Sequence, residues 1–206
     1  MNLVDPFGMD KIPKVDPSVK GTPEYYVWRA NNFVERNPGC QPPSYYMNYG
    51  YKYSKRFSEE TIHKLSPLGK KWLIEVLNNL QDIMEDRLTT EKADGSIDLE
   101  LLEDDFMKFA YNSHVEAYWN NLEGHIPLYL LPISDLITIA STPDFKDIIN
   151  RNGIIQVAEI VSRLISFYES HPTPSFGLNV FIMMYLQSLL NNNLETHDNE
   201  QEEALD

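Results

Sequence analysis

Residues 65–86, LSPLGKKWLIEVLNNLQDIMED, decide the fold class. Ser66 followed by Pro67 is typical of a helix start, because the serine hydroxyl accepts a free backbone N–H and proline fits the first helical position. Apolar residues then recur every three or four positions, which predicts one buried face of an amphipathic helix. That face comprises Leu68, Trp72, Leu73, Val76, Leu77, Leu80, Ile83 and Met84. The polar residues between them, including Glu85, are predicted to face solvent.

Start and stop residues mark further helices on both sides of this segment. Thr22 and Pro23 precede EYYVWRANNFVER, and Gly39 follows it. Downstream, a helix is predicted from about Asp98. Its inward residues are predicted to be Leu101, Leu102, Phe106, Phe109 and Ala110. Ser113 with Glu116 three positions later forms a capping box, which predicts that a new helix starts there.

The remaining chain continues the helical pattern. Ser134 and Thr142 are predicted caps of two short helices, residues 154–168 form an amphipathic helix, and residues 177–190 are apolar on most faces. No segment longer than a few residues alternates with period two. We therefore predict an all-α fold, an irregular bundle of about seven to nine helices.

Composition divides the 206 residues into three regions. Residues 1–21 are rich in proline and glycine and predict an irregular arm that is ordered only if it docks. Residues 22–190 form the predicted helical domain. Residues 191–206 carry six acids without Lys or Arg, and this composition predicts a disordered acidic tail.

Charge and cysteine content exclude several function classes. The formal net charge of -14 predicts repulsion from nucleic acid and from anionic membrane surfaces. A single cysteine, Cys40, forms no internal disulfide and no cysteine-rich metal site. The N-terminus has no secretory signal pattern, and no apolar stretch reaches the length of a bilayer span. We predict a cytoplasmic protein, or one exported without a classical signal peptide.

Catalytic residues are scarce. The sequence contains no phosphate-binding glycine loop, dinucleotide fingerprint, nucleophile elbow or HExxH motif. The best remaining candidates for catalysis are His114 and Glu116. They lie two positions apart, and side chains at that spacing on a helix point in nearly opposite directions. We therefore favour a neutral, hydrogen-bonded His114 and a capping Glu116. No metal or cofactor is predicted. The acidic residues at positions 100–105 are interpreted as the solvent-exposed face of a helix.

Residues 44–57 offer a different kind of site, because tyrosines there alternate with the only locally basic residues of an acidic chain. Large aromatic residues and arginine are enriched at protein interfaces. The predicted partner-binding residues are Tyr45, Tyr46, Tyr49, Tyr51, Lys52, Tyr53, Arg56 and Phe57. Core packing of these aromatic residues and a small-ligand pocket remain open alternatives. For residues 44–53, an irregular loop packed on the bundle and a short strand also remain open.

Several phrases resemble a set of uncharacterised bacterial proteins associated with toxin-delivery and polymorphic-toxin loci. They are GTPEYYVWRANNFVERNPG, PPSYYMNYGYKYSKRF, LSPLGKKWLIEVLNNLQDIMED, FAYNSHVEAYW and ISDLITIASTPDFKD. The resemblance covers about residues 20–150. It implies a genetic context and transfers no catalytic residues.

Two function classes follow from these observations. The first is a non-catalytic helical interaction protein, an adaptor, accessory or structural partner in a bacterial secretion or toxin system. Its partner would be another protein, such as a toxin or a secretion component. Self-association through Phe181 and Met184 is a further hypothesis, beside ordinary core packing. The alternative class is a glycan or cell-wall hydrolase that uses a carboxylate and His114.

Overall fold

The computed structural model describes residues 12–91, 98–119, 125–144 and 151–171. All regular secondary structure in these ranges is helical, and they contain no strand. This confirms the all-α prediction for the described residues. Within these ranges there are six α-helices: α1 (Glu24–Arg36), α2 (Lys52–Glu59), α3 (Pro67–Glu91), α4 (Glu103–Tyr118), α5 (Ile133–Ala140) and α6 (Arg151–Ser170). Six is fewer than the predicted seven to nine, and the predicted helix over residues 177–190 lies outside the described ranges.

Shorter helical turns connect these helices. A π-helical turn, Tyr46–Tyr51, runs directly into α2, and 3₁₀ turns cover Thr61–Lys64, Leu99–Leu101 and Leu128–Leu130. The segment at residues 44–57 is therefore helical, which rules out the alternatives of an irregular loop or a short strand at residues 44–53. Among the described helices, none combines the length and apolar character that crossing a bilayer requires.

The central helix α3 follows its predicted pattern closely. The Ser66 hydroxyl accepts the Gly69 N–H at 3.1 Å, as expected of a cap. Trp72, Leu73, Val76, Leu77, Leu80 and Met84 are buried, whereas Leu68 at the helix start is exposed. Apolar burial on this face drives packing against α2 and α4.

Helix α4 corrects the predicted boundary at Ser113. A single helix runs from Glu103 to Tyr118. The Ser113 hydroxyl donates to the carbonyl of Ala110 at 2.7 Å within this helix, so Ser113 does not act as an N-cap. Phe106 and Ala110 are buried as predicted. Leu101 and Leu102, predicted to point inward, are exposed. Helix α4 begins at Glu103 rather than at the predicted Asp98, so both leucines precede it, and Leu101 belongs to a 3₁₀ turn, which has a different period.

The N-terminal arm docks on α3 through its described residues. Ile12 is buried, and the Val15 N–H donates to Glu85 Oε2 at 3.4 Å. Gly21 has φ of 79°, a left-handed conformation that favours glycine, and its N–H donates to Gln81 Oε1 at 2.6 Å. These contacts order the end of the arm. The predicted acidic tail at residues 191–206 lies outside the described ranges.

Two apolar clusters form the core of the described residues. The larger lies between α2, α3, α4, α5 and α6 and includes Trp72, Leu77 and Leu164. The smaller joins α1 and the π-helical turn to α3 and α4 and includes Tyr26 and Phe106. The ring of Tyr49 packs against both clusters.

Gly50 permits the close approach of the π-helical turn to α1. A Cβ atom at this position would lie 2.6 Å from Cε1 of Tyr26 and closer still to Cδ1. Alanine normally stabilises a helix relative to glycine. Here we expect Gly50→Ala to lower the free energy of unfolding by about 1–3 kcal/mol, the usual cost of overpacking. Urea unfolding measures the difference.

The matched control is Asn48→Ala, in the same turn but exposed. Its effect should stay within about 0.5 kcal/mol, as for most surface substitutions. Equal stability of the two variants would show that Tyr26 moves aside without cost.

Candidate functional site

His114 lies in the middle of α4, within a group of aromatic rings. Its side chain is buried, and the rings of Tyr45, Tyr49 and Tyr118 surround it with centroids 5.7–6.3 Å away. Nδ1–H donates to the carbonyl of Ala110 at 2.8 Å. Burial lowers the pKa of His114 to about 4, although this backbone contact acts in the opposite direction. The imidazole is therefore neutral near pH 7.

The structure does not bring His114 and Glu116 together. Glu116 is exposed on the solvent side of α4, whereas His114 points into the core. Glu116 also caps nothing, since α4 begins at Glu103. Neither residue has the geometry of an acid–base pair, which requires hydrogen-bond reach.

Half of the predicted partner-binding residues are in the core. Tyr45, Tyr46, Tyr53 and Phe57 are buried, so they offer no contact surface in this structure. The Tyr46 hydroxyl donates to Glu100 Oε1 at 2.7 Å. The prediction of a binding face is corrected for these four residues. Their clustering reflects aromatic core packing, in which rings meet edge to face.

The other half of the predicted set reaches the surface beside α2. Tyr49, Tyr51, Lys52 and Arg56 are partly buried, and Lys55 is exposed. Cations of this group pack over rings of the same segment, as shown by Lys52 Nζ at 4.9 Å from the Tyr53 ring centre. The segment therefore exposes basic side chains that pack over aromatic rings.

Asp144 neutralises part of this basic surface. Its carboxylate accepts from Lys52 Nζ at 2.6 Å and from an Arg56 guanidinium nitrogen at 2.7 Å, while its N–H donates to the Tyr53 hydroxyl at 3.0 Å. Hydrogen bonds from Arg56 and Lys52 hold the pKa of Asp144 well below its usual range. Sequence reasoning missed Asp144, because nothing local indicates a contact with residues about ninety positions earlier.

An open polar groove lies next to this ion pair. It has a volume of about 410 Å³, and its lining residues carry charged or hydroxyl side chains. They are Arg56, Glu60, Thr61, Lys64, Thr138, Ser141, Thr142 and Asp144. Arg56 also donates to the carbonyl of Thr142 at 2.9 Å, which fixes the end of α5 against α2. We call this site the α2–α5 groove.

The acid run at residues 100–105 is divided between core and surface. Glu100 is buried, accepts the Tyr46 hydroxyl and pairs with Arg36, and burial raises its pKa. The prediction that Glu100 lies on a solvent-exposed helix face was wrong. Glu103, Asp104 and Asp105 are exposed, as predicted. The carboxylates of this run therefore do not form a catalytic pair in a shared cleft.

Potential metal ligands are scattered over the described ranges. No group of three or more His, Cys, Asp or Glu side chains there is arranged to hold an ion. Cys40 and His63 are exposed. Phe181 and Met184, the residues of the self-association hypothesis, lie outside the described ranges.

No protein-family model, curated protein or solved structure matches the chain. The resemblance to proteins of toxin-delivery loci therefore remains a prediction.

Proposed function

We propose that the protein is a non-catalytic helical interaction protein that binds another protein through the α2–α5 groove. The proposed setting is a bacterial secretion or toxin system, with a toxin or secretion component as the partner. Its location would be the cytoplasm, or the exterior after export without a classical signal peptide. The setting rests on the sequence resemblance, and the binding surface rests on the groove.

The groove supports this proposal because positive, negative and hydroxyl side chains lie together there at one open site. Arg56 and Lys64 supply positive charge, Glu60 and Asp144 supply negative charge, and the other four lining residues supply hydroxyls. A nucleic acid would prefer a uniformly basic surface. Alternating charges and hydroxyls instead suit a folded protein, whose surface presents both signs and many hydrogen-bonding groups.

Apolar contact area is available beside the groove. Ile137 on α5 is 47% exposed, and Ser141, which lines the groove, lies one turn further along the same helix face. Protein interfaces commonly place such apolar residues inside a polar rim. Ile137 and the groove together therefore provide both parts of a small interface.

Affinity capture with a groove variant tests the proposal. The variant Lys64→Glu/Ser141→Arg reverses one charge and fills the groove, while Arg56 and Asp144 keep their structural contacts. The matched control, Lys108→Glu/Ser166→Arg, makes the same two changes at exposed positions on α4 and α6 outside the groove. Circular dichroism checks that both variants are folded.

We expect a specific protein to be recovered from lysate of the source cells with wild type and control. Its recovery with the groove variant should fall by about tenfold, which corresponds to about 1.4 kcal/mol of binding free energy. Equal recovery with all three baits would reject the groove as the binding site.

A further inference from the structure

A small internal cavity separates α2 from α3 and α4. Its volume is about 30 Å³, and its lining includes Tyr45, Tyr49 and Tyr118, the tyrosines around His114. Most of its lining is apolar or aromatic, including Leu77 and Phe57. Three lining residues carry polar atoms of particular interest: Ser54 on α2, Trp72 on α3 and His114 on α4.

Two of these polar atoms are buried without a hydrogen-bond partner in the described part of the chain. They are the Ser54 hydroxyl oxygen and the Trp72 indole nitrogen. The two residues are only 3% and 1% exposed. A buried polar group without a partner is unfavourable, because it has given up its hydrogen bonds to water. Two such groups lining one cavity indicate a shared partner that is not a protein side chain.

His114 adds a third polar group of complementary character. Its Nδ1 donates to the Ala110 carbonyl, so Nε2 carries no proton and is a hydrogen-bond acceptor. The indole N–H of Trp72 is a donor only, and the Ser54 hydroxyl can donate and accept. A molecule bound among them must therefore both donate and accept hydrogen bonds.

We propose that this cavity is a binding site for one or two internal water molecules that link Ser54, Trp72 and His114. Its volume exceeds the 10–15 Å³ that one water requires and is too small for most organic ligands. An apolar occupant would leave the polar groups without partners. An ion would lack a counter-charge, since no charged residue lines the cavity. The bound water would link α2, α3 and α4, the helices that supply Ser54, Trp72 and His114.

Magnetisation transfer from water to the Trp72 indole tests the site. The 206-residue chain, labelled with ¹⁵N-tryptophan, gives three indole signals, because it contains three tryptophans. Trp72→Phe assigns the relevant signal. A rotating-frame experiment at short mixing times separates dipolar transfer, which requires a nearby bound water, from chemical exchange with solvent.

Two substitutions at Ser54 make the result specific. Ser54→Ala removes the neighbouring hydroxyl, which could otherwise relay magnetisation, and retains the cavity. Ser54→Val fills part of the space with methyl groups. We expect the dipolar cross-peak between water and Trp72 Hε1 in wild type and in Ser54→Ala, and its loss in Ser54→Val.

Two outcomes would overturn the proposal. One is a folded wild-type protein whose Trp72 indole shows no dipolar cross-peak to water. The other is a cross-peak that disappears in Ser54→Ala, because the hydroxyl rather than water would then be its source. Backbone amide spectra of each variant confirm that the helices remain packed.

Discussion

Replacing Glu85 with leucine is expected to lower the free energy of unfolding by about 3–5 kcal/mol, the usual cost of removing one partner from a buried ion pair. Arg29 is the reason. Its side chain is fully buried, its Nε donates to Glu85 Oε1 at 2.7 Å, and a second guanidinium nitrogen donates to Oε2. The guanidinium keeps its charge at any ordinary pH, so the variant would retain an uncompensated cation in the core. Tyr25 would also lose the acceptor of its hydroxyl.

Urea unfolding measures this loss, and two further variants interpret it. Glu159→Leu breaks an exposed pair with Arg163, whose side chains are 46% and 44% exposed, and should cost no more than about 0.5 kcal/mol. The double variant Arg29→Met/Glu85→Leu removes both charges and should recover much of the lost stability. A single-variant loss no larger than that of Glu159→Leu would mean that water reaches the Arg29–Glu85 pair.

This ion pair also shows what periodicity cannot predict. Glu85 belongs to the polar side of α3, and the spacing of apolar residues correctly places it away from the Trp72 face. The sequence contains no local indication that Arg29, 56 positions earlier, lies against that side. A charged residue is buried only where a partner compensates it, and the partner is supplied by tertiary packing. Pattern analysis therefore identifies the apolar core and misses the buried charges.

The helices were predictable in proportion to the regularity of their apolar residues. Both α3 and α6 follow long amphipathic stripes, and both helices are confirmed, although α3 continues to Glu91 beyond the predicted stripe and α6 extends over residues 151–170 rather than 154–168. The boundary within α4 failed for a specific reason. Ser113 and Glu116 match a capping box, but serine inside a helix can also bond to the carbonyl three residues earlier. Buried Phe106, Ala110 and Val115 on both sides of Ser113 favour the continuous helix.

The sequence predicted which residue types form the candidate site, and it predicted only partly which of their side chains face the core or the solvent. Sequence identified the aromatic and basic segment at residues 44–57, yet composition does not tell which rings face inward. In the helical structure, Tyr46, Tyr53 and Phe57 are buried, whereas Lys55 is exposed. The α2–α5 groove forms only when α5 meets α2, so no single stretch of sequence contains it. Its residues come from positions 56–64 and 138–144.

Acidification is expected to destabilise the protein through His114. In the unfolded chain the imidazole binds a proton near pH 6.5, whereas burial holds its pKa in the folded protein at about 4. Between these values the unfolded state binds one more proton than the folded state, so stability falls as pH falls. The slope is about 1.4 kcal/mol per pH unit, and the total over this interval is about 3 kcal/mol.

Non-titrating variants isolate this contribution from other groups. Glu100, whose pKa burial raises, acts in the opposite direction, because its protonation at low pH favours the folded state. His114→Phe keeps an aromatic ring, and His114→Asn keeps a donor for the Ala110 carbonyl. Their absolute stabilities should differ, but both should show a flatter dependence on pH between 6.5 and 4 than wild type. Urea unfolding at half-unit pH steps provides the slopes, and three identical slopes would contradict the assignment.

The same titration bears on the choice between interaction protein and hydrolase. A general base works best when its pKa lies near the pH of the reaction. An imidazole that remains unprotonated down to about pH 4, bonded to its own helix and distant from solvent, has little capacity to take a proton from a substrate. A steep acid dependence that disappears in both variants would therefore identify His114 as a core residue. Activity on peptidoglycan that is lost in both, with normal stability profiles, would instead support the hydrolase.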